Sequence, residues 1–548
     1  MRNFFLFAVV LTLSACEGVI VGARGSPIEL PGARPDCATR GQGSAPRLRL
    51  LWRSAYLAEV SARLGPGAAT AAQAVGLSPA TDKQFNFETA GSLMTDASLA
   101  SLAATADAIA VWALSSDQNA TAVFGCNARA VTGAEAEACF TAFLRRTGPR
   151  LQRRPMSAAQ VDETLAFFRA QALEGQSDGT QEGFRMGLAS LLMHPDFLYV
   201  HDVGDPQAPA LDAFSVASRV AFALTGQGPD DALFAAADDG SLLSPGVLEA
   251  QVERLLRTPE ARVRSLAFFR QWLRYDGWST AYSPAFLSGL DVTTVRADAV
   301  AELDGFVSEQ LWAAQANPAA LLTSRGTGGL TPTLAQLYGA SAGDTTLPAN
   351  RAGLLTRVGL LASGTDDWHV VARGLTVVQK LLCRDMTPPN INLADAAKQA
   401  EQLRVSNADR IAAVTAAPAC AGCHRTINPL GSARSDFDAV GRAVTVEKHY
   451  AGGVFDFEVP VVSSADLTVP LGRAAQVDGS VALSGFIAES PEYAQCFATQ
   501  FVRAAMGRAD ASDACLAADA TTALAQGGSM LDAMRAAMTS PDFLLFRE

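Results

Sequence analysis

After Leu13 no stretch is apolar for long enough to cross a bilayer as a helix, which takes about 20 residues. Positive charge is in deficit: 43 Lys and Arg face 55 Asp and Glu, a net charge of −12. That balance argues against a nucleic-acid partner as a bulk property. No Ser/His/Asp arrangement and no paired carboxylates mark a hydrolase. One Cys-x-x-Cys is present, but no second Cys/His pair at ligand spacing completes a zinc site. No strand-then-helix context makes it a thioredoxin-like redox pair. Aromatics are only 7% of the chain.

What is there suits a folded, mostly helical chain. It has 548 residues, 49% hydrophobic and 18% charged, enough for several domains and a large core. Alanine and leucine abound, which favours helix.

The central motif is Cys420-Ala-Gly-Cys423-His424. Two thiols three residues apart can add across the two vinyl groups of haem, and the adjacent histidine then reaches the iron. The expected cofactor is one covalent haem c. Cys420 and Cys423 form its thioethers and His424 is the proximal ligand. The Pro429 carbonyl is expected to accept the second imidazole N–H. Gly431 is expected to let the chain turn close to the macrocycle. Arg425 and Arg442 are candidate partners for the propionates.

The distal ligand is open. No Met lies between His424 and Met506, and Met506, Met530, Met534 and Met538 fall on apolar helix faces. Met386, His449 and His369 remain as candidates.

The N-terminus reads as an export signal. Arg2 precedes an apolar run from Phe4 to Leu13, followed by Leu13-Ser14-Ala15-Cys16. This looks like a lipoprotein signal cleaved before Cys16, whose thiol takes a lipid that anchors without spanning. Glu17 leans towards the outer membrane. An exported chain meets an oxidising compartment, so the six other cysteines are expected in disulfides. Proximity pairs Cys126 with Cys139 and Cys496 with Cys515, leaving Cys37 with Cys383.

In order, the chain divides into a signal (1–15), a Gly/Pro-rich tether (16–46), helical domains (47–125, 126–205 and 206–340), a haem-bearing domain (341–441), a small β segment (442–475) and a closing helical domain (476–548). Helix starts are signalled by Thr95, Ser157, Ser244-Pro245, Thr258-Pro259, Ser283-Pro284 and Ser490-Pro491. Leu99 is placed in the core. A long helix over about 393–417 is expected to lead into Cys420. Alternating Val, Thr, Tyr and Phe over 442–475 read as a hairpin or meander. One internal echo appears, His194-Pro-Asp-Phe-Leu against Ser540-Pro-Asp-Phe-Leu, which makes His194 a packing residue. The fold class is therefore mainly α: multidomain helical bundles, a c-type haem segment and a small β insertion.

Several stretches resemble the large exported cytochrome c-like proteins of planctomycetes and myxobacteria, built from a run of domains of unknown function. They are Arg351-Ala-Gly-Leu-Leu, Arg373-Gly374 before Leu-Leu-Cys383, and the motif itself with Ile-Asn-Pro-Leu-Gly431 and Asp436-Phe-Asp-Ala-Val-Gly-Arg442. Ala217-Ser-Arg-Val, Glu489-Ser-Pro-Glu-Tyr and Met506-Gly-Arg508 add to it. The resemblance implies a helical, multidomain haem protein without naming a reaction. Where the family carries a longer proline run after Leu-Leu-Cys, this chain has Met386-Thr-Pro-Pro, so the local wall of the site differs. The functional expectation is an electron carrier at the cell envelope with an unidentified redox partner or exported partner protein. A surface scaffold or binding lipoprotein with a structural haem, and a haem-dependent oxidoreductase acting on an exported substrate, are the alternatives.

Overall fold

The computed structural model describes residues 37, 48–76, 88–89, 94–174, 179–202, 210–367, 369–386, 403–451, 454–467, 474–510 and 513–545. The signal, Cys16 and most of the tether lie outside them, as do Pro388-Pro389. The chain is mainly helical, with three small antiparallel two-stranded sheets among the described residues. No single helix among the described residues is long and apolar enough to cross a membrane.

Helix starts follow local chemistry. Thr95 and Ser98 form a reciprocal capping box at the head of Asp96–Ala113. Proline occupies the first position of Pro245–Leu256, Pro259–Leu273 and Pro491–Met506, where its missing N–H costs nothing. Leu99 is 46% exposed rather than buried, because the Asp96–Ala113 helix turns its Leu102, Ala106 and Ile109 inward.

The strands β1 (Arg49–Leu50) and β2 (Tyr199–Val200) pair antiparallel. The expected β segment is two hairpins. β3 (Val446–Ala451) pairs with β4 (Val454–Pro460), and β5 (Ser464–Leu467) with β6 (Ala475–Asp478). One apolar core draws residues from Leu50 to Phe543, and a smaller one gathers Tyr282, Phe286, Tyr338, Val358 and Val440.

The internal echo has a physical basis. Pro195–Leu198 and Pro541–Leu544 are both single helical turns. Arg153 donates to the carbonyls of Phe197 and Tyr199, at 3.2 and 2.7 Å. Arg219 donates to the equivalent carbonyls of Phe543 and Leu545, at 2.7 and 3.2 Å. Each turn thus ends in carbonyls that one buried guanidinium satisfies. His194 caps the first turn, its Nδ1 accepting from the Asp196 N–H at 3.2 Å.

Cys126 and Cys139 are joined, but the other two pairings differ from the expected ones. Cys383 pairs with Cys496 and Cys37 with Cys515, at Cα separations of 5.3 and 5.7 Å. Cys496 lies ten residues before the end of the Pro491–Met506 helix, so about 15 Å of rigid rod carries the chain away from it before Cys515. Nearness in sequence is therefore not nearness in space. Non-reducing peptide mapping is expected to recover 37/515 and 383/496 linked peptides and no 496/515 link.

Candidate functional site

The long helix expected over 393–417 is interrupted. Its described part is Asn407–Val414, ended by Thr415. Pro418 then opens a separate helix, Pro418–Ser432, and forces Ala417 into an extended conformation, ψ 142°. That second helix carries the motif. Ile427 and Leu430 face inward. Cys420, Cys423 and His424 are spaced i, i+3 and i+4, hence on one face. Cys423 is exposed and Cys420 half-buried, and these are the free cysteines among the described residues.

The imidazole of His424 is held by a short polar chain. The Ile411 carbonyl can only accept, so the Thr415 hydroxyl donates to it, at 2.6 Å. Thr415 Oγ1 therefore accepts from Asn428 Nδ2, at 2.9 Å. The Asn428 carbonyl oxygen is thereby turned to His424 Nδ1, 2.8 Å away. His424 Nδ1 must then carry a proton, so in the neutral ring it is Nε2 that keeps the lone pair. The network specifies the tautomer, with no appeal to a ligand.

Pro429 does not do this job. The helix continues through it, and its carbonyl accepts the Ala433 N–H at 3.1 Å. At five residues on, Pro429 is rotated about 140° from His424, whereas Asn428 at four residues shares its face. Gly431 is no turn either. A Cβ there would overlap the Val370 carbonyl, and one on Gly374 would overlap that of Ile427. The two glycines let the helix Val370–Leu375 lie backbone-to-backbone against the motif helix.

Arginine supplies the frame that sequence reading missed. Arg373 donates to the carbonyls of Arg434, Phe437 and Asp438, each at 2.6 Å, and of Leu361 at 3.2 Å. Arg434 donates back to the carbonyls of Arg373, Leu355 and Leu360. Arg351 is fully buried between the rings of Tyr338 and Phe437 and donates to Thr356, Leu337 and Gly441. Burial lowers Arg351 and Arg373 to about 10 and Arg434 to about 9, still protonated at neutral pH. The Asp436-to-Gly441 stretch is the object they grip. Asp438 Oδ1 accepts the N–H groups of Val440, Gly441 and Arg442 at 2.9–3.0 Å. Arginine after a short motif was a signal in plain sight, but its role needs partners some 60 to 90 residues away.

Arg442 is consumed by this frame. Its Nε donates to Asp438 Oδ2 and its Nη2 to the Phe286 carbonyl, both at 2.7 Å. It is thus no free propionate partner; the Asp438 turn brings it home. Arg425 is exposed beside His424 on the motif helix.

Two of the three distal candidates, His449 and Met386, are otherwise engaged. His449 is buried, stacked on Phe457 at 4.2 Å. Its Nδ1 faces Arg410 Nη2 at 3.1 Å and its Nε2 lies 2.9 Å from Glu447 Oε1, because β3 and β4 turn its ring into the hairpin's interior. Met386 packs against the main core beyond the Cys383–Cys496 link. His369 is exposed, its Nε2 3.4 Å from Thr365 Oγ1. It precedes Val370, which abuts Gly431, about 10 Å along the motif helix from His424.

Three stretches match family models, each described as a protein of unknown function. Residues 139–202 match PSD5 (DUF1595), 211–340 match PSD4 (DUF1592), and 351–447 match PSCyt3 (DUF1588). The last contains the motif helix and the arginine frame. No curated protein and no solved structure matches the chain.

Proposed function

Starting from a chain whose matched stretches carry no assigned activity, we propose that it is an exported, lipid-anchored c-type cytochrome with one covalent haem, passing electrons at the cell envelope. One observation carries this reading: His424, its Nδ1 held by Asn428, shares one helix face with two free thiols. The residues fit the group. Cys420 and Cys423 would hold it covalently, His424 would ligate its iron, and exposed Arg425 would meet a propionate. So held, haem c supplies a one-electron iron couple. Thr415 and Asn428 keep the imidazole in one tautomer and one orientation. Cys16 would bear the lipid, placing the chain at the periplasmic side or surface of the outer membrane.

The test is an optical spectrum of the mature protein, made with an active haem-attachment system, oxidised and then reduced. A covalently held chromophore is the expected result. Colourless protein would overturn the proposal. Asn428→Leu is expected to keep the haem but raise its reduction potential, because the imidazole loses its acceptor and donates less to the iron. A spectroelectrochemical titration reads that shift, and an unchanged potential would remove Asn428 from this role.

A second reading, a haem-dependent oxidoreductase on an exported substrate, is favoured by the engagement of Met386 and His449 elsewhere. Carbon monoxide binding to the reduced protein separates the two. A ready spectral change fits an open iron position, and none fits a carrier with two strong ligands.

A further inference from the structure

A cleft of about 540 Å³ opens far along the chain from the motif, lined by Glu253, Arg257, Arg262, Trp312, Gln315 and Arg535 among others. That volume is within the range of small-ligand sites. Trp312 is half-buried, and its indole N–H donates to the Leu256 carbonyl at 3.1 Å. The Arg262 guanidinium sits 5.2 Å from the indole centre. Arg257 pairs with Glu253, and Arg535 with Asp532 at 2.9 Å. Arg262 meets no carboxylate within ion-pair distance among the described residues. The cleft therefore carries a surplus positive charge on an acidic protein.

The backbone is irregular at the same place. Glu309–Ala313, which holds Trp312, is a π-helical turn. Gln315 follows in a left-handed conformation, φ 45°, which costs a non-glycine residue about 1 kcal/mol or more. π turns recur at functional sites. Trp312 and the exposed Gln315 side chain line the same opening.

We propose that this cleft binds a carboxylate-bearing sugar, the uronic acid unit of an acidic glycan. The half-buried indole, beneath the Arg262 guanidinium, leaves apolar surface on the cleft wall for the C–H side of a pyranose. Arg262 offers a planar fork for the carboxylate. The Gln315 amide donates and accepts, as ring hydroxyls require. A wholly apolar ligand would leave Arg262 unpaired. An inorganic anion would leave the indole idle.

The test is calorimetric titration of the full mature protein with galacturonate, with tri-galacturonate and with a neutral galactose trisaccharide. An acidic sugar is expected to bind and the neutral one to fail. Binding of the trimer alone identifies a glycan chain as the source, whereas equal binding of the monomer identifies a free sugar acid. Arg262→Gln changes an exposed side chain and is expected to weaken binding by about tenfold or more, the scale of one charge-assisted pair. Trp312→Ala is expected to do the same, with circular dichroism confirming the fold. No binding of either acidic sugar at millimolar concentration overturns the proposal. Equal affinity for the neutral sugar, or undiminished binding by Arg262→Gln, overturns it too.

Discussion

Mature Cys420→Ala/Cys423→Ala protein is expected to come out colourless yet folded. The first half follows from the proposed attachment, since each thiol supplies one of the two covalent bonds and no other free cysteine lies among the described residues. The loss should be total rather than graded: denaturing gels stained for covalent haem should show signal in the parent and none in the variant. The second half follows from packing. The motif helix is held by buried Ile427 and Leu430, by the close approach at Gly374 and Gly431, and by the arginine frame behind it. None of these contacts uses Cys420 or Cys423. A variant that retains stainable haem removes the attachment argument. A variant that fails to fold instead revives haem as a structural staple, the third reading the motif allows.

The second large effect is expected at Arg373, far from any exposed chemistry. Its guanidinium satisfies four carbonyls on two segments, Leu361 before it and the Arg434-to-Asp438 stretch more than 60 residues after it. Arg373→Met keeps a similar apolar stem and removes every donor. The orphaned carbonyls are buried, and each costs about 1–3 kcal/mol when unpaired. Some relief comes from no longer burying a charge. A net loss of about 4 kcal/mol is expected, felt first over residues 351–447. Arg373→Lys should recover little, because an ammonium lacks the fork that reaches several acceptors at once. Denaturant unfolding of the parent and variants measures the loss, and hydrogen exchange locates it. A cost below about 1 kcal/mol would show that the four bonds are dispensable.

The disulfides and the glycines share a lesson with Arg373. Proximity in the chain suggested Cys496 with Cys515, but the helix between them carries the chain away and Cys496 bonds Cys383 instead. Gly431 looked like a turn beside a flat cofactor and instead admits the Val370 carbonyl. Pro429 looked like the imidazole's anchor because it follows His424 at a distance its carbonyl could bridge. Here the helix runs on, and Asn428, one residue earlier, does the work. That residue was legible in principle: an amide four residues after a histidine on the same helix face is a local pattern.

Mainly helical structure, the capped helix starts, a hairpin or meander over 442–475, and two thiols three residues apart with His424 adjacent were all contained in the sequence. They depend on spacings of two to four residues, and such spacings survive any packing. Tertiary structure alone decided which cysteines meet, which nitrogen of His424 is free, why Arg351, Arg373 and Arg434 recur around one loop, and that Trp312 and Arg262 share a cleft. Those outcomes depend on which carbonyls and side chains arrive from elsewhere in the chain, and no periodicity records an arrival.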